Sequence, residues 1–212
     1  MKQSKPVLHH APHSRSQMSL CMLEEVGVDY DLRLIDLVKG EQKQSQFHEI
    51  NSMEKVPVLQ HGDATVCETG AILSYLADAY PEAGLAPAPG ASRERAEYLR
   101  WLFFGGNCIE PAAMELFSPR KEPLNPGQAS WGDFPRVLQA LREVLSERDY
   151  LLGDKFCAAD VLVGNQVGFL IRFKSIDPAK EIALAAYAER CESRSAWKRM
   201  REHEAKHPNP WA

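Results

Sequence analysis

The sequence predicts an α/β N-terminal domain followed by an all-helical C-terminal one. Three observations predict it. Strand and helix patterns alternate over the first 80 residues. Strand patterns stop after residue 92. The stretch between, 82–91, holds Gly84, Pro87, Pro89 and Gly90 among small residues, the composition of a linker. The expected domains are therefore residues 1–81 and 92–212.

Val7-Leu8-His9-His10, ended by Pro12, reads as a first strand. Met18, Met22 and Val26, with Leu20 and Leu23 beside them, have helical spacing. Ser14 or Ser16 suits the start of that helix and Gly27 its stop. Tyr30, Leu32 and Leu34 alternate with Asp31 and Arg33, a half-buried strand. Glu41 to Ile50 is polar and reads as a short exposed helix. Val56-Pro57-Val58-Leu59 and Thr65-Val66-Cys67 flank Gly62-Asp63, a hairpin signal. Ala71, Ile72, Tyr75, Leu76 and Ala79 form a helix stripe ending at Pro81. The order is β-α-β-α-β-β-α.

Beyond the linker, Arg93 to Leu116 reads as one long helix that Pro111 should kink or break. Pro119, Pro123 and Pro126 mark a loop. Phe134, Val137, Leu138, Leu141, Val144 and Leu145 make a strong amphipathic stripe. Ala158 to Ile171 is apolar nearly all round, the mark of a helix buried at a domain centre. Two more helices follow, around Glu181–Cys191 and Ser195–Glu204, and the tail Pro208-Asn209-Pro210-Trp211 reads as extended.

Composition narrows the classes. Hydrophobic residues at 44% and charged residues at 25% suit a globular chain with a real core. A net charge of -4 lacks the basic footprint of nucleic-acid binding. A run of about 18 apolar residues, as a transmembrane helix needs, is missing, and the N-terminus has no signal-peptide core. Five cysteines at wide spacings, an odd number without Cys-x-x-Cys, predict reduced thiols in a reducing, cytoplasmic compartment. Cys21 reads as core. His9, His10 and His13 invite a metal reading, but a zinc site needs three or four convergent ligands, and His9 and His10 point to opposite faces of a strand. No metal is expected.

Four segments carry a resemblance. They are His9-His10-Ala11-Pro12-His13-Ser14-Arg15-Ser16-Gln17 with Leu23 to Tyr30; Asn51 with Lys55-Val56-Pro57-Val58-Leu59; Glu68-Thr69-Gly70-Ala71-Ile72 leading to Tyr80-Pro81; and Tyr150-Leu151-Leu152-Gly153-Asp154 with Phe156 and Ala159-Asp160-Val161. In order and spacing they resemble the glutathione transferase family, in its bacterial serine-type cytosolic form, over essentially the whole chain. The resemblance implies a thioredoxin-like, glutathione-binding N-terminal domain and an all-α C-terminal bundle. It also implies a detoxifying transferase of alkyl or aryl groups, glutathione as co-substrate, and a homodimer.

Glutathione carries two carboxylates, one ammonium and one thiol. A free thiol has a pKa near ~8.5, so little is thiolate at neutral pH, and lowering it by about two units takes roughly 2.7 kcal/mol. A hydroxyl donor at a helix N-terminus supplies stabilisation of that order. Ser14, at the predicted start of the first helix, is the first candidate donor to sulfur, Ser16 the next; the plainer reading is that Ser14 only caps. Several classes in the family carry the active residue earlier in this loop, at Ala11, Pro12 or His13, and His13 is either a further donor or a solvent-facing ring. No cysteine lies in the loop, which argues against cysteine-type thiol transfer.

By resemblance, Val56-Pro57 forms a cis-proline turn whose Val56 backbone pairs with the cysteinyl part, with Lys55 beside it. Glu68 and Thr69, at the start of a helix, take the γ-glutamyl carboxylate and ammonium. Gln42 and Lys43 reach the glycyl carboxylate. Cys157 stands at the cap position of the buried helix, with Asp160 as its capping-box partner, a cap weaker by about 1 kcal/mol than a serine's. The family's electrophile site lies between the domains, and Phe104 and Asn107 are the candidate lining residues. Three functions stand open: conjugation of glutathione to a small hydrophobic electrophile, glutathione-dependent reduction of peroxides or disulfides, and a non-catalytic interaction module. Glu68, Thr69 and the Val56-Pro57 pair argue against the third.

Overall fold

The computed structural model describes residues 4–122, 124–125 and 127–210; Pro123, Pro126 and Trp211 of the expected loop and tail lie outside them. The chain divides into two compact units, residues 1–83 with 195–212 and residues 84–194.

The first unit is built on a four-stranded sheet. β1 (Val7–His10) pairs in parallel with β2 (Asp31–Leu34), and antiparallel with β3 (Val58–His61), which pairs with β4 (Ala64–Cys67). The strand order is β2-β1-β3-β4. α1 (Ser16–Val26) joins β1 to β2 and ends at Gly27, whose φ of 72° only glycine adopts at no steric cost. A 3₁₀ turn (Glu41–Lys43) and α2 (Ser45–Ile50) lead to β3, and Phe47 is the one residue of α2 that is buried. The hairpin loop is Gly62-Asp63, with Gly62 at φ 65°. α3 (Thr69–Ala79) buries Ile72, Leu73, Leu76 and Ala77.

One expectation changes here. β2 lies at the edge of the sheet, so its residues are exposed or intermediate rather than half-buried in alternation, and Leu34 is 48% exposed. The last helix, α9 (Ser195–Glu204), groups with the first unit. It buries Trp197 and Met200 and packs on α1, where Arg199 Nη2 donates to the Glu24 carbonyl at 2.8 Å.

The second unit is helical. α4 (Ser92–Phe104) passes into a π-helical turn (Gly105–Ile109) and then α5 (Glu110–Phe117). The irregularity falls just before Pro111, whose missing N–H cannot donate into the preceding turn of the continuous helical stretch. α6 (Phe134–Leu145) is capped by Asp133, which accepts from Arg136 N at 2.9 Å, and buries Val137, Leu141 and Leu145. α7 (Ala158–Arg172) is buried on nearly every side, as its composition predicts, and packs against α8 (Ile182–Glu192). Leu85, within the expected linker, is buried, and its carbonyl accepts from Ala158 N at 2.8 Å.

At the head of α7 the Asp160 carboxylate is fully buried. It accepts from Leu151 N (3.0 Å), Cys157 N (2.9 Å), Cys157 Sγ (3.1 Å) and Tyr187 OH (3.0 Å). The capping box expected of Cys157 and Asp160 is present, and it extends to a loop and a second helix.

Candidate functional site

Strand register gathers the candidate residues of the first unit at one end of the sheet. His9 faces Arg33 on β2 and Val58 on β3, and Val58 faces Cys67 on β4. The chain leaves or enters that end at four places: after β1 into Ala11–Arg15, after β2 into residues 35–43, before β3 at Val56-Pro57, and after β4 at Glu68-Thr69. His13, Ser14, Ser16, Gln42, Lys43, Lys55, Val56, Pro57, Glu68 and Thr69 therefore share one edge, although the sequence spreads them over more than 50 residues. A cavity of about 500 Å³ opens there, lined by Ala11, Pro12, Leu34, Leu37, Glu41 and Pro208 among others.

α1 begins at Ser16 and its cap position is Arg15, which makes no side-chain cap bond. Ser14 does the capping from one residue earlier: its Oγ accepts the Ser16 N–H at 3.2 Å and donates to Ala11 O at 2.7 Å. Ser14 is partly exposed. Ser16 is 0% exposed, so of the two candidate hydroxyls Ser14 alone reaches the surface. The Ser16 Oγ lies 2.7 Å from His10 Nδ1 and 2.8 Å from Ser14 Oγ. His13 adopts φ 60°, its ring Nε2 lies 2.9 Å from His207 O, and its backbone N–H donates to Glu204. The ring is thus tied to the chain's C-terminal segment rather than free in solvent.

At β4's end Glu68 takes φ 70°, a strained value for a non-glycine residue of about 1–3 kcal/mol. Its carbonyl accepts the Ile72 N–H at 2.9 Å, the first intrahelical bond of α3. The N–H groups of Thr69, Gly70 and Ala71 precede that bond, as at any helix start. Glu68 is exposed and Thr69 partly so. The Val56–Pro57 bond is cis. Asn51 holds the loop before it, its Nδ2 donating to Lys55 O at 2.8 Å and its Oδ1 accepting from Met53 N at 3.0 Å. The Lys43 and Lys55 side chains are exposed, while Gln42 Oε1 is buried without a hydrogen-bond partner.

His9 faces away from the serine loop, as alternation predicts. Its Nε2 lies 3.0 Å from Gln60 Oε1 and its ring meets Phe47 edge-on. Burial pushes its pKa below the usual imidazole value, against the Gln60 bond, with the Arg33 charge adding to the lowering. Among the described residues no cluster of three potential metal ligands occurs.

In the second unit Phe104 is half-buried with its ring edge-on to Trp101 at 5.2 Å, and Asn107 is exposed in the π-helical turn. That unit has a larger cavity of about 810 Å³, but Arg142, Arg148 and Arg190 on its wall already pair with Glu181, Glu97 and Asp149. Charges so committed give no reason to place a ligand there.

Sequence reasoning missed His10 and Glu204 as members of this edge. The signal was present: Ala196, Trp197, Met200 and Glu204 lie at helical spacing on one stripe, so an acid occupies the buried face of α9.

Residues 6–78 match the family model for the glutathione S-transferase N-terminal domain. Maleylacetoacetate isomerase of Rattus norvegicus is 30% identical over 181 residues, covering 82% of each chain. A solved sphingomonad glutathione S-transferase, complexed with glutathione, superposes with a TM-score of 0.79 at 30% identity, over 95% of this chain and 100% of its own. The glutathione transferase of Methylococcus capsulatus gives 0.79 at 29% identity, again over 95% of this chain and 100% of its own. With the thioredoxin-like sheet and the helical second unit, these likenesses establish that the chain belongs to the glutathione S-transferase family.

Proposed function

We propose that this chain binds glutathione along the edge described above and holds its sulfur as a thiolate for attack on a small hydrophobic electrophile. The observation that carries the reading is the convergence of two helix beginnings, α1 behind Ser14 and α3 behind Glu68, at one end of one sheet. Adjacent strands stand about 4.8 Å apart, so β1 and β4 are separated by about 10 Å. Three extended residues span about the same length. A tripeptide therefore has the length to lie along this edge, with its central cysteinyl sulfur toward Ser14 and its γ-glutamyl group toward Thr69. Both helix dipoles present positive ends to its negative groups.

In this reading Ser14 is the donor to sulfur and the Val56 backbone pairs with the cysteinyl residue. Thr69 and the first N–H groups of α3 take the γ-glutamyl carboxylate, and Glu68 takes the ammonium. Gln42 and Lys43 take the glycyl carboxylate, Lys55 lies beside the Val56-Pro57 turn, and His13 shapes the loop. Phe104 and Asn107 are proposed for the electrophile. The chain is read as a serine-type, bacterial-like cytosolic member with glutathione-binding residues 1–81 and helical residues 92–212, as a homodimer, and as a cytoplasmic detoxification enzyme.

Ser14→Ala tests the core of this. Removing one preorganised donor to a developing anion lowers turnover by about 10²-fold, while glutathione affinity by calorimetry stays nearly constant. A chlorinated aromatic as electrophile, beside an organic peroxide and a mixed disulfide, identifies the chemistry. Unchanged turnover in the variant removes Ser14 from its role, and no glutathione uptake at millimolar ligand removes the whole reading.

A further inference from the structure

Behind Ser14 runs a line of hydrogen-bonding groups that ends on a buried carboxylate. Glu204, in the last turn of α9, is 6% exposed, at a helix end whose dipole opposes a negative charge. Its Oε2 accepts the His13 backbone N–H. Its Oε1 lies 2.9 Å from His10 Nε2, an ion-pair distance at which the ring N–H is not aligned as a hydrogen bond, so this oxygen has no hydrogen-bond donor. A buried carboxylate oxygen so placed favours a positive charge that develops on the ring beside it. The other nitrogen of the same ring, Nδ1, is 2.7 Å from Ser16 Oγ, which is 2.8 Å from Ser14 Oγ. His10 and Ser16 are both buried, and Ser14 alone in the line is partly exposed.

We propose that Ser16, His10 and Glu204 are a proton relay serving Ser14, and that the proton leaving the bound thiol comes to rest on His10; this rests on the reading that Ser14 faces the sulfur. With the proton of neutral His10 on Nε2, toward Glu204, Nδ1 is an acceptor. The S–H bond breaks and its electron pair stays on sulfur. The proton passes to Ser14 Oγ, the Ser14 hydroxyl proton to Ser16 Oγ, and the Ser16 hydroxyl proton to His10 Nδ1. Each hydroxyl ends with one proton, as it began. The Ser14 O–H now donates to the thiolate, and the imidazolium faces the Glu204 carboxylate.

Ala11 O lies 2.7 Å from Ser14 Oγ and 3.0 Å from Ser16 Oγ, so each hydroxyl has a resting acceptor from which it rotates into the relay. The Ala11 N–H, 3.1 Å from Ser16 Oγ, fixes that oxygen in place. His13 Nδ1 stands 3.7 Å from Glu204 Oε2, but the other nitrogen of that ring is engaged by His207 O, so His13 lies outside the line. Ser16, His10 and Glu204 are positioning residues, since only Ser14 meets the sulfur.

The test is the ultraviolet thiolate absorbance of glutathione bound at saturation, measured with kcat and KM in Ser16→Ala, Ser16→Thr, His10→Gln and Glu204→Gln. Ser16→Ala and His10→Gln are expected to lose most of the thiolate signal and to lower kcat by about 10²-fold, with KM for glutathione changed by no more than about twofold. Ser16→Thr, which restores the hydroxyl, recovers the signal, and Glu204→Gln loses part of it. A merely structural role would move folding and KM and leave the thiolate fraction of bound tripeptide unchanged. Should His10→Gln fail to fold, the Ser16→Ala and Ser16→Thr pair decides. Thiolate lost in Ser14→Ala but kept in Ser16→Ala overturns the relay and leaves the Ser14 reading standing. Thiolate kept in Ser14→Ala overturns both.

Discussion

Replacing Asp160 should strongly destabilise the second unit. In Asp160→Ala the Leu151 and Cys157 N–H groups and the Tyr187 hydroxyl lose their acceptor inside a fully buried pocket. A buried donor left unsatisfied costs about 1–3 kcal/mol. Three of them sum to about 3–9 kcal/mol, and the desolvation of the carboxylate itself, which disappears with it, opposes that sum. The net loss is therefore about 3–5 kcal/mol, the range for a one-sided break of a buried polar network. Asp160→Asn keeps the shape and one oxygen but sets a donor against a donor, and should lose about 2 kcal/mol.

The pKa of Asp160 adds a signed expectation. Burial raises it above the ordinary carboxylate value, against the lowering by its four donors. The folded state therefore holds the proton more tightly than the unfolded chain. The contribution of this group is greatest below the unfolded value of 3.8 and falls as pH rises through the raised folded value. The gap between wild type and Asp160→Asn is thus widest in acid. Urea unfolding, followed by both far-ultraviolet circular dichroism and tryptophan fluorescence so that coincident transitions check two-state behaviour, measures each loss. A cost below about 1 kcal/mol for Asp160→Ala, with an unchanged slope, would refute the reasoning.

Glu68→Gly should relieve the positive φ and raise thermal stability by up to about 1 kcal/mol, while weakening glutathione binding. Differential scanning calorimetry beside titration calorimetry measures the two, and a variant less stable than wild type contradicts the strain argument. Gly105→Ala would set a Cβ 2.6 Å from Leu162 Cδ2 and 3.1 Å from Gln166 Oε1, an overpacking cost of about 1–3 kcal/mol seen as a lower urea midpoint. His9, its pKa depressed by burial, must be charged less readily folded than unfolded. Its contribution is full above the unfolded value of 6.5 and is lost as pH falls below that toward the folded value. His9→Gln should flatten the stability profile in that acid range, and an unaltered profile removes His9 as its cause.

The sequence by itself determined most local elements of this protein, though not the π-helical turn over Gly105–Ile109. Periodicity marked α1, α3 and α6, an all-round apolar run marked α7, Gly62-Asp63 marked the hairpin, and the order β-α-β-α-β-β-α limited the sheet to few arrangements. Those signals are local because hydrogen bonding and amphipathicity act over three or four residues. Ser14, Val56-Pro57 and Glu68-Thr69 could be singled out as candidates from the sequence, since a motif is short and its residues are adjacent. Tertiary structure alone decided the edge exposure of β2, because burial depends on which strand is outermost. It also joined α9 to the first unit and brought Glu204 against His10, 194 residues earlier in the chain. No local pattern encodes a contact at that separation. An acid on the buried stripe of α9 announces that a polar partner exists, and only the packing of α9 on α1 says which one.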